Sequence, residues 1–172
     1  LAEITMSIMA RARAKDPEKG YAVDFVSSVL KLNLRQIADQ KIKILSNAGG
    51  VNPEACAKAI RELIKELKLD LKVAVVLGDE LIAKKDKFSD QNLKEMYSET
   101  DFPKIENIAS INAYLGAFPI AQALNDGADI VITGRSVDSA VTLAACIYSF
   151  GWQEDEYNKL AGGSLAGHII EC

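Results

Sequence analysis

Three short segments of this chain carry residues that bind anions or move protons, and each directly follows an apolar run. The first is Ser46-Asn47-Ala48-Gly49-Gly50-Val51-Asn52-Pro53-Glu54. Asn52 suits a helix N-cap and Pro53 the first helical position, so the glycine turn opens into a helix. A helix start presents backbone N–H groups and the positive end of the macrodipole, and glycine lets a phosphate or carboxylate approach the main chain. Asn47, Gly49, Gly50 and Asn52 are therefore candidate ligand contacts. The second segment is Gly78-Asp79-Glu80, whose acids could hold a hard cation, with Asp79 a candidate general base. In the third, Gly134-Arg135-Ser136-Val137-Asp138, Arg135 offers a planar fork to a carboxylate or phosphate, with Gly134 and Asp138 beside it.

Each segment has a plainer reading as well. The first turn also fits a tight strand-to-helix connection that binds nothing. Arg135 also fits an ion pair with Asp138 or Asp129, and two adjacent acids also fit a solvated turn. Asn112 and Tyr114 precede a helix, where they could orient a polar ligand or simply cap and pack. His168 is the sole histidine, on the glycine-rich run Leu160 to Cys172. At i and i+4, His168 and Cys172 share a helix face, a geometry open to a thiolate–imidazole pair, and Glu171 adds an acid beside them. Close helix packing with a structural histidine fits the same run. One histidine and dispersed cysteines cannot build a zinc site, and the first turn matches neither GxGxxG nor GxxxxGK[ST]. No cofactor can be named from these residues.

The elements that would position these groups follow from periodicity. Helices are expected over Leu1 to Ala14 and Val23 to Ile37, a helical lead-in through about residue 40, broken at Asp16 to Gly20. A strand, Lys41 to Leu45, then leads through the glycine turn into a helix reaching about Lys68, where Cys56, Ile60, Leu63, Ile64 and Leu67 form one stripe. Asp70 to Leu77 reads as a second strand, apolar on both faces as a covered parallel strand should be. Strand, helix and strand make a βαβ unit. Residues 84–104 lose periodicity and gain charge, so they read as a mobile insertion on the functional edge of the sheet. A helix from about Phe118 to Asn125, stopped at Gly127, leads to a third strand, Asp129 to Thr133, and a helix Ser139 to Phe150. The fold class is α/β, a doubly wound, mostly parallel sheet with helices on both faces, Rossmann-like without the dinucleotide fingerprint. In such a sheet ligands sit outside the carboxyl ends of the strands, so the three turns should converge on one edge.

With 49% apolar and 26% charged residues among 172, the chain has the material for one sizeable core in a single domain. Its net charge of −4, without a basic stripe interleaved with aromatics, argues against nucleic acid. No apolar run is long enough to span a bilayer, and a cytoplasmic or organellar-matrix location follows. Cys56, Cys146 and Cys172 are odd in number and widely spaced, with Cys56 and Cys146 on expected buried helix faces, so they read as reduced. The chain opens at Leu1 and closes inside an apolar helical run, as an excerpt of a longer domain would.

Five blocks of the sequence resemble the acyclic terpene utilisation AtuA family: Leu1-Ala2-Glu3-Ile4-Thr5-Met6, Ser46 to Pro53, Asn112-Ala113-Tyr114-Leu115-Gly116-Ala117, Gly127 to Arg135, and Ala166 to Cys172. The resemblance runs essentially end to end. It implies part of the AtuA N-terminal domain, with glycine-rich segments before and after it in family members, and a part in breaking down citronellol and geraniol through branched acyl-CoA thioesters. The family pattern has a histidine and an acid ahead of Phe150-Gly151-Trp152, where this chain has Ile147-Tyr148-Ser149. What the resemblance and the turns imply together is an enzyme or enzyme subunit holding the anionic part of a branched acyl-CoA or carboxylate. The alternative is a non-catalytic binding or assembly subunit that partners an acyl-CoA carboxylase-type enzyme. A homo-oligomer is compatible with both.

Overall fold

A computed structural model describes residues 3–171. Strands β1 (Ile44–Ser46), β2 (Val73–Val76) and β3 (Ile130–Thr133) form one parallel sheet in the order β1-β3-β2. Seven helices surround it among the described residues: α1 (Glu3–Lys15), α2 (Lys31–Asp39), α3 (Pro53–Glu66), α4 (Lys85–Ser89), α5 (Ala117–Asn125), α6 (Ala140–Phe150) and α7 (Tyr157–Glu171). The α/β class is the one expected. Both edge strands are shorter than the apolar runs that contain them. Lys41 has a positive φ of 54°, and its neighbours in the β1 run turn before the chain can pair. Of the expected second strand, Asp70 to Leu77, only Val73–Val76 meets β3, in register with Ile130 to Thr133. Helix α2 is preceded by a π-helical turn, Phe25–Leu30, which periodicity did not reveal. Leu1, Ala2 and Cys172 lie outside the described residues.

Alternation along β3 divides the interior in two. Ile130 and Ile132 pack with Leu30, Leu34, Cys56, Ile60 and Ile64 from the layer of α2 and α3. Val131 packs with Val76, Ile120, Leu124, Ala144 and Ile147, on the face covered by α5 and α6. Helices thus cover both faces, and β3 is buried throughout. Fully burying a side chain of this size stabilises by about 1.5–3 kcal/mol, so β3 is the most valuable strand of the sheet. Cys56 belongs to the first half, and burial pushes its thiol pKa up to about 12. It is a packing residue. Cys146 is only half-buried, where full burial was expected, and both thiols are free.

Asp129, at the amino end of β3, stitches the two outer strands to it. Its carboxylate accepts from the backbone N–H of Lys72 at 2.9 Å and from Lys43 Nζ at 2.8 Å, while its carbonyl accepts from Ile44 N–H. Residues 84–104 contain α4 and a small antiparallel bridge, Lys94 to Asp101, and are otherwise exposed. Their base is narrow, because Leu81 N–H donates to Ile111 O at 2.7 Å. The segment is therefore a closed excursion from the carboxyl edge of the sheet.

Partial burial pushes the Asp129 carboxyl upward, yet the Lys43 ammonium and the Lys72 N–H outweigh it and hold the group below its ordinary value. A carboxylate whose folded pKa is depressed contributes stability that is complete above its unfolded value of about 4 and is lost as pH falls through the folded value. Asp129→Asn should therefore cost about 1–2 kcal/mol at neutral pH, by the usual worth of a charge-assisted hydrogen bond, with the deficit shrinking below about pH 4. Urea unfolding of both proteins across that range checks the sign. A deficit that stays constant into acid would mean that the Lys43 and Lys72 contacts do not distinguish the two charge states.

Candidate functional site

Past its last paired residue, β3 stays in the interior: Thr133, Gly134, Arg135 and Ser136 are all buried. Asp79, just beyond β2, is 3% exposed and turns its carboxylate toward this extension. Asp79 Oδ2 accepts from the backbone N–H of Arg135 at 2.8 Å and from Asn112 Nδ2 at 2.9 Å. Gly134 is required there, because any Cβ at that position would collide with the carboxylate. Ala113 N–H donates to Asp79 O, Leu115 N–H to Arg135 O, and Val137 N–H to Leu115 O. The stretch from Asn112 to Leu115 is thereby laced between the turns that follow β2 and β3.

The first turn joins them. Gly49 lies against the carbonyl oxygen of Thr133, and Gly50, with φ of 55°, lies against Met9 Sδ of α1, so neither tolerates a side chain. All three turns converge on the carboxyl edge, as a wound sheet requires. The amides of the first turn have work inside the fold. Those of Ala48, Gly50, Val51 and Asn52 donate to Ser46 Oγ, Asn47 O, Gly20 O and Gly49 O respectively, and Asn52 Oδ1 caps α3 by accepting from Ala55 N–H. Asn52 Nδ2 reaches back to the carbonyls of Pro17 and Lys19, at 2.8 Å each. Close packing of protein on protein explains both glycines without a ligand.

Arg135 does not point at that turn. Its guanidinium pairs with Asp138 Oδ1 at 2.8 Å and lies over the Tyr114 ring, with Cζ 4.3 Å from the ring centroid. Asp138 is thus the partner rather than Asp129, which sits at the opposite end of β3 with Lys43 and Lys72. The cation nearest the first turn is Arg13 of α1, which donates to Val51 O and to the Glu80 carboxylate. Two hollows result, each of about 240 Å³. One is bounded by Arg13, the turn Gly50 to Glu54, and Leu77 to Glu80. The other is lined by Met6, Ser7, Ser110, Asn112, Tyr114 and Arg135. Asp79 borders the first and its partner Asn112 the second, so their hydrogen bond links the two linings. A larger open hollow beside β2 and α5 is walled by valines and alanines with Lys72, Gln122 and Asp126, and meets the turns only at Leu77.

His168 and Glu171 lie exposed on the last turns of α7. Gly167, just before them, rests on Ser139 at the start of α6, where any side chain would crowd the Ser139 backbone. The companion of His168 in the expected thiolate–imidazole pair, Cys172, lies outside the described residues. Sequence reasoning missed Arg13, Met6, Ser7 and Ser110. Arg13 gave one signal, a cation in the last turn of a helix, which the helix dipole alone accounts for. Among the described residues no three His, Cys, Asp or Glu side chains gather as a metal group, and no helix is long and apolar enough to cross a membrane.

A family model described as "Acyclic terpene utilisation family protein AtuA" matches residues 1–172. No curated protein and no solved structure matches the chain.

Removing the Asp79 carboxylate leaves a buried donor, Arg135 N–H, and a part-buried one, Asn112 Nδ2, without their acceptor. Asp79→Ala should destabilise by about 1–3 kcal/mol, chiefly from the desolvation penalty of the stranded Arg135 N–H. Tyr114→Ala should cost less, about 0.5–1 kcal/mol, the usual worth of a cation–π contact at a residue that is 48% exposed. Equilibrium urea unfolding ranks them, and equal losses would contradict the assignment of Asp79 as the joint between turns.

Proposed function

The chain belongs to the acyclic terpene utilisation AtuA family, and from that premise we propose that it handles branched, isoprenoid-like carboxylates or their coenzyme A thioesters at the carboxyl edge of its sheet. One observation carries the reading: Arg135, 3% exposed, is set beneath the Tyr114 ring in a hollow that also holds Asn112 and Ser110. A guanidinium there offers charge-assisted hydrogen bonds to a carboxylate or phosphate, and the ring offers an apolar face to a branched chain. Asp138 is half-exposed and already holds the guanidinium, so an incoming anion exchanges partners with it. Asn47, Gly49, Gly50, Asn52 and Gly134 shape the edge from behind, by the packing described above. Asp79, His168 and Glu171 are the titratable groups proposed to serve proton transfer.

A second reading, a binding or assembly subunit beside a carboxylase-type enzyme, draws support from the outer face of α7. Leu165 and Ile169, one turn apart, are exposed there, an apolar pair that suits contact with another protein.

Thermal or chemical unfolding with and without coenzyme A and a panel of branched acyl-coenzyme A thioesters tests the first reading. Ligand at 100 times its dissociation constant should add about 2.7 kcal/mol of stability. Arg135→Ala should weaken that binding by about 1–3 kcal/mol. Because Arg135 is buried, Tyr114→Ala serves as the milder companion, expected to weaken binding while leaving the fold intact. No shift with any thioester, together with co-purification of a partner whose activity ignores both substitutions, would favour the second reading.

A further inference from the structure

We propose that α1 is a hinged cover over a single cleft, and that the two hollows are the halves of that cleft, separated while the cover is down. The inference rests on the reading of the carboxyl edge as a ligand site and adds how that site opens. Helix α1 runs between the hollows: Arg13 lines one, while Met6 and Ser7 line the other. Its inward residues Met6, Met9 and Ala10 form a small cluster with Val51 and Ala22, both in loops, and this cluster shares only Ala22 with the half of the core under α2 and α3. Helix α3, by contrast, commits Cys56, Ile60, Leu63 and Ile64 to the main interior. Elements with few buried apolar contacts open at low free energy, and the covers of ligand sites are drawn from them. The outward residues Ile4 and Ile8 are 73% and 63% exposed and add nothing to the closed position.

The chain after α1 is tied by its backbone to the first turn and the loop before it. Pro17 O and Lys19 O accept from Asn52 Nδ2, Gly20 O accepts from Val51 N–H, and Ala22 N–H donates to Ala48 O. Movement must therefore be taken up just before Pro17, where the helix ends. The latch is Arg13, whose guanidinium holds Val51 O and the Glu80 carboxylate across the mouth of the first hollow. This pair is partly exposed, the kind that contributes little and exchanges readily. An anion arriving in the hollow takes the place of Glu80 on Arg13, so the bound ligand itself becomes the latch and holds the cover down. With α1 lifted, Arg13, Arg135 and Tyr114 border one continuous space, and Met6 and Met9 supply adaptable thioether surface on the underside of the cover.

Amide hydrogen exchange of the intact chain without any ligand decides the matter. Residues 4–15 should exchange roughly 100-fold faster than residues 53–66, as a locally opening element does relative to a core helix. Arg13→Gln should speed exchange in α1 several-fold further and leave α3 unchanged. Should that variant fold poorly, Met6→Ala removes packing from the cover without touching the latch and should act in the same direction. Exchange of α1 at the rate of α3, or acceleration spread equally over both helices, would overturn the cover. A further arm adds isovaleryl-coenzyme A: slowed exchange confined to α1 supports cover and ligand together. Opening of α1 that the thioester does not alter leaves the cover standing and counts against the proposed ligand. Thioester binding with α1 as protected as α3 does the reverse.

Discussion

A buried carboxylate accepting a backbone N–H holds the carboxyl edge of this protein's sheet together. Asp79 sits after β2, Arg135 after β3, and the hydrogen bond between Asp79 Oδ2 and Arg135 N–H ties the two turns at 2.8 Å. The bond sets conditions on its neighbours. Gly134 must lack a side chain, Asn112 must supply a second donor, and the segment through Leu115 must thread between the turns. Asp129 performs the matching task at the amino end, where Lys43 and Lys72 meet it. With strands of only three and four residues, the ladders alone supply few hydrogen bonds, and an aspartate at each end of the central strand makes up the difference.

The sequence shows some of this directly. Ile130 to Thr133 reads as a strand because four consecutive apolar or β-branched residues stand between Gly127 and Gly134, and Asn52-Pro53 marks the start of α3 by local chemistry alone. The pairing of Arg135 with Asp138 was one of two partners on offer, and proximity along the chain favours it. Other contacts join residues too far apart for any periodicity to express. Asn112 meets Asp79 across 33 positions, and Arg13 meets Glu80 across 67. The glycines of the first turn show the converse. Their types predict close approach correctly, but what approaches is the Thr133 carbonyl and the Met9 sulfur. Helix α1 reads well as a helix from its own residues, while its place across the sheet mouth follows from the cluster it makes with Val51 and Ala22.

Arg135 illustrates how a structural role and the proposed binding role can share one side chain. Burying a guanidinium is costly unless it is paired, and here Asp138 and the Tyr114 ring meet that need before any substrate arrives. A ligand of the proposed kind would therefore rearrange existing contacts, and its affinity would report a difference between two sets of partners. That frame suits a member of the acyclic terpene utilisation AtuA family, because a carboxylate or phosphate can replace the Asp138 contact in kind while a neutral terpene cannot.

The division of the interior by β3 bears on how such a domain can drift over evolutionary time. Ile130 and Ile132 serve one half-core and Val131 the other, so the strand acts as an insulating wall that both sides share. A volume change in α5 can be absorbed by α6 without reaching α3, and the reverse holds on the opposite side. Lineages are thus free to remodel either flank separately, whereas the wall itself is answerable to both and has the least latitude to vary.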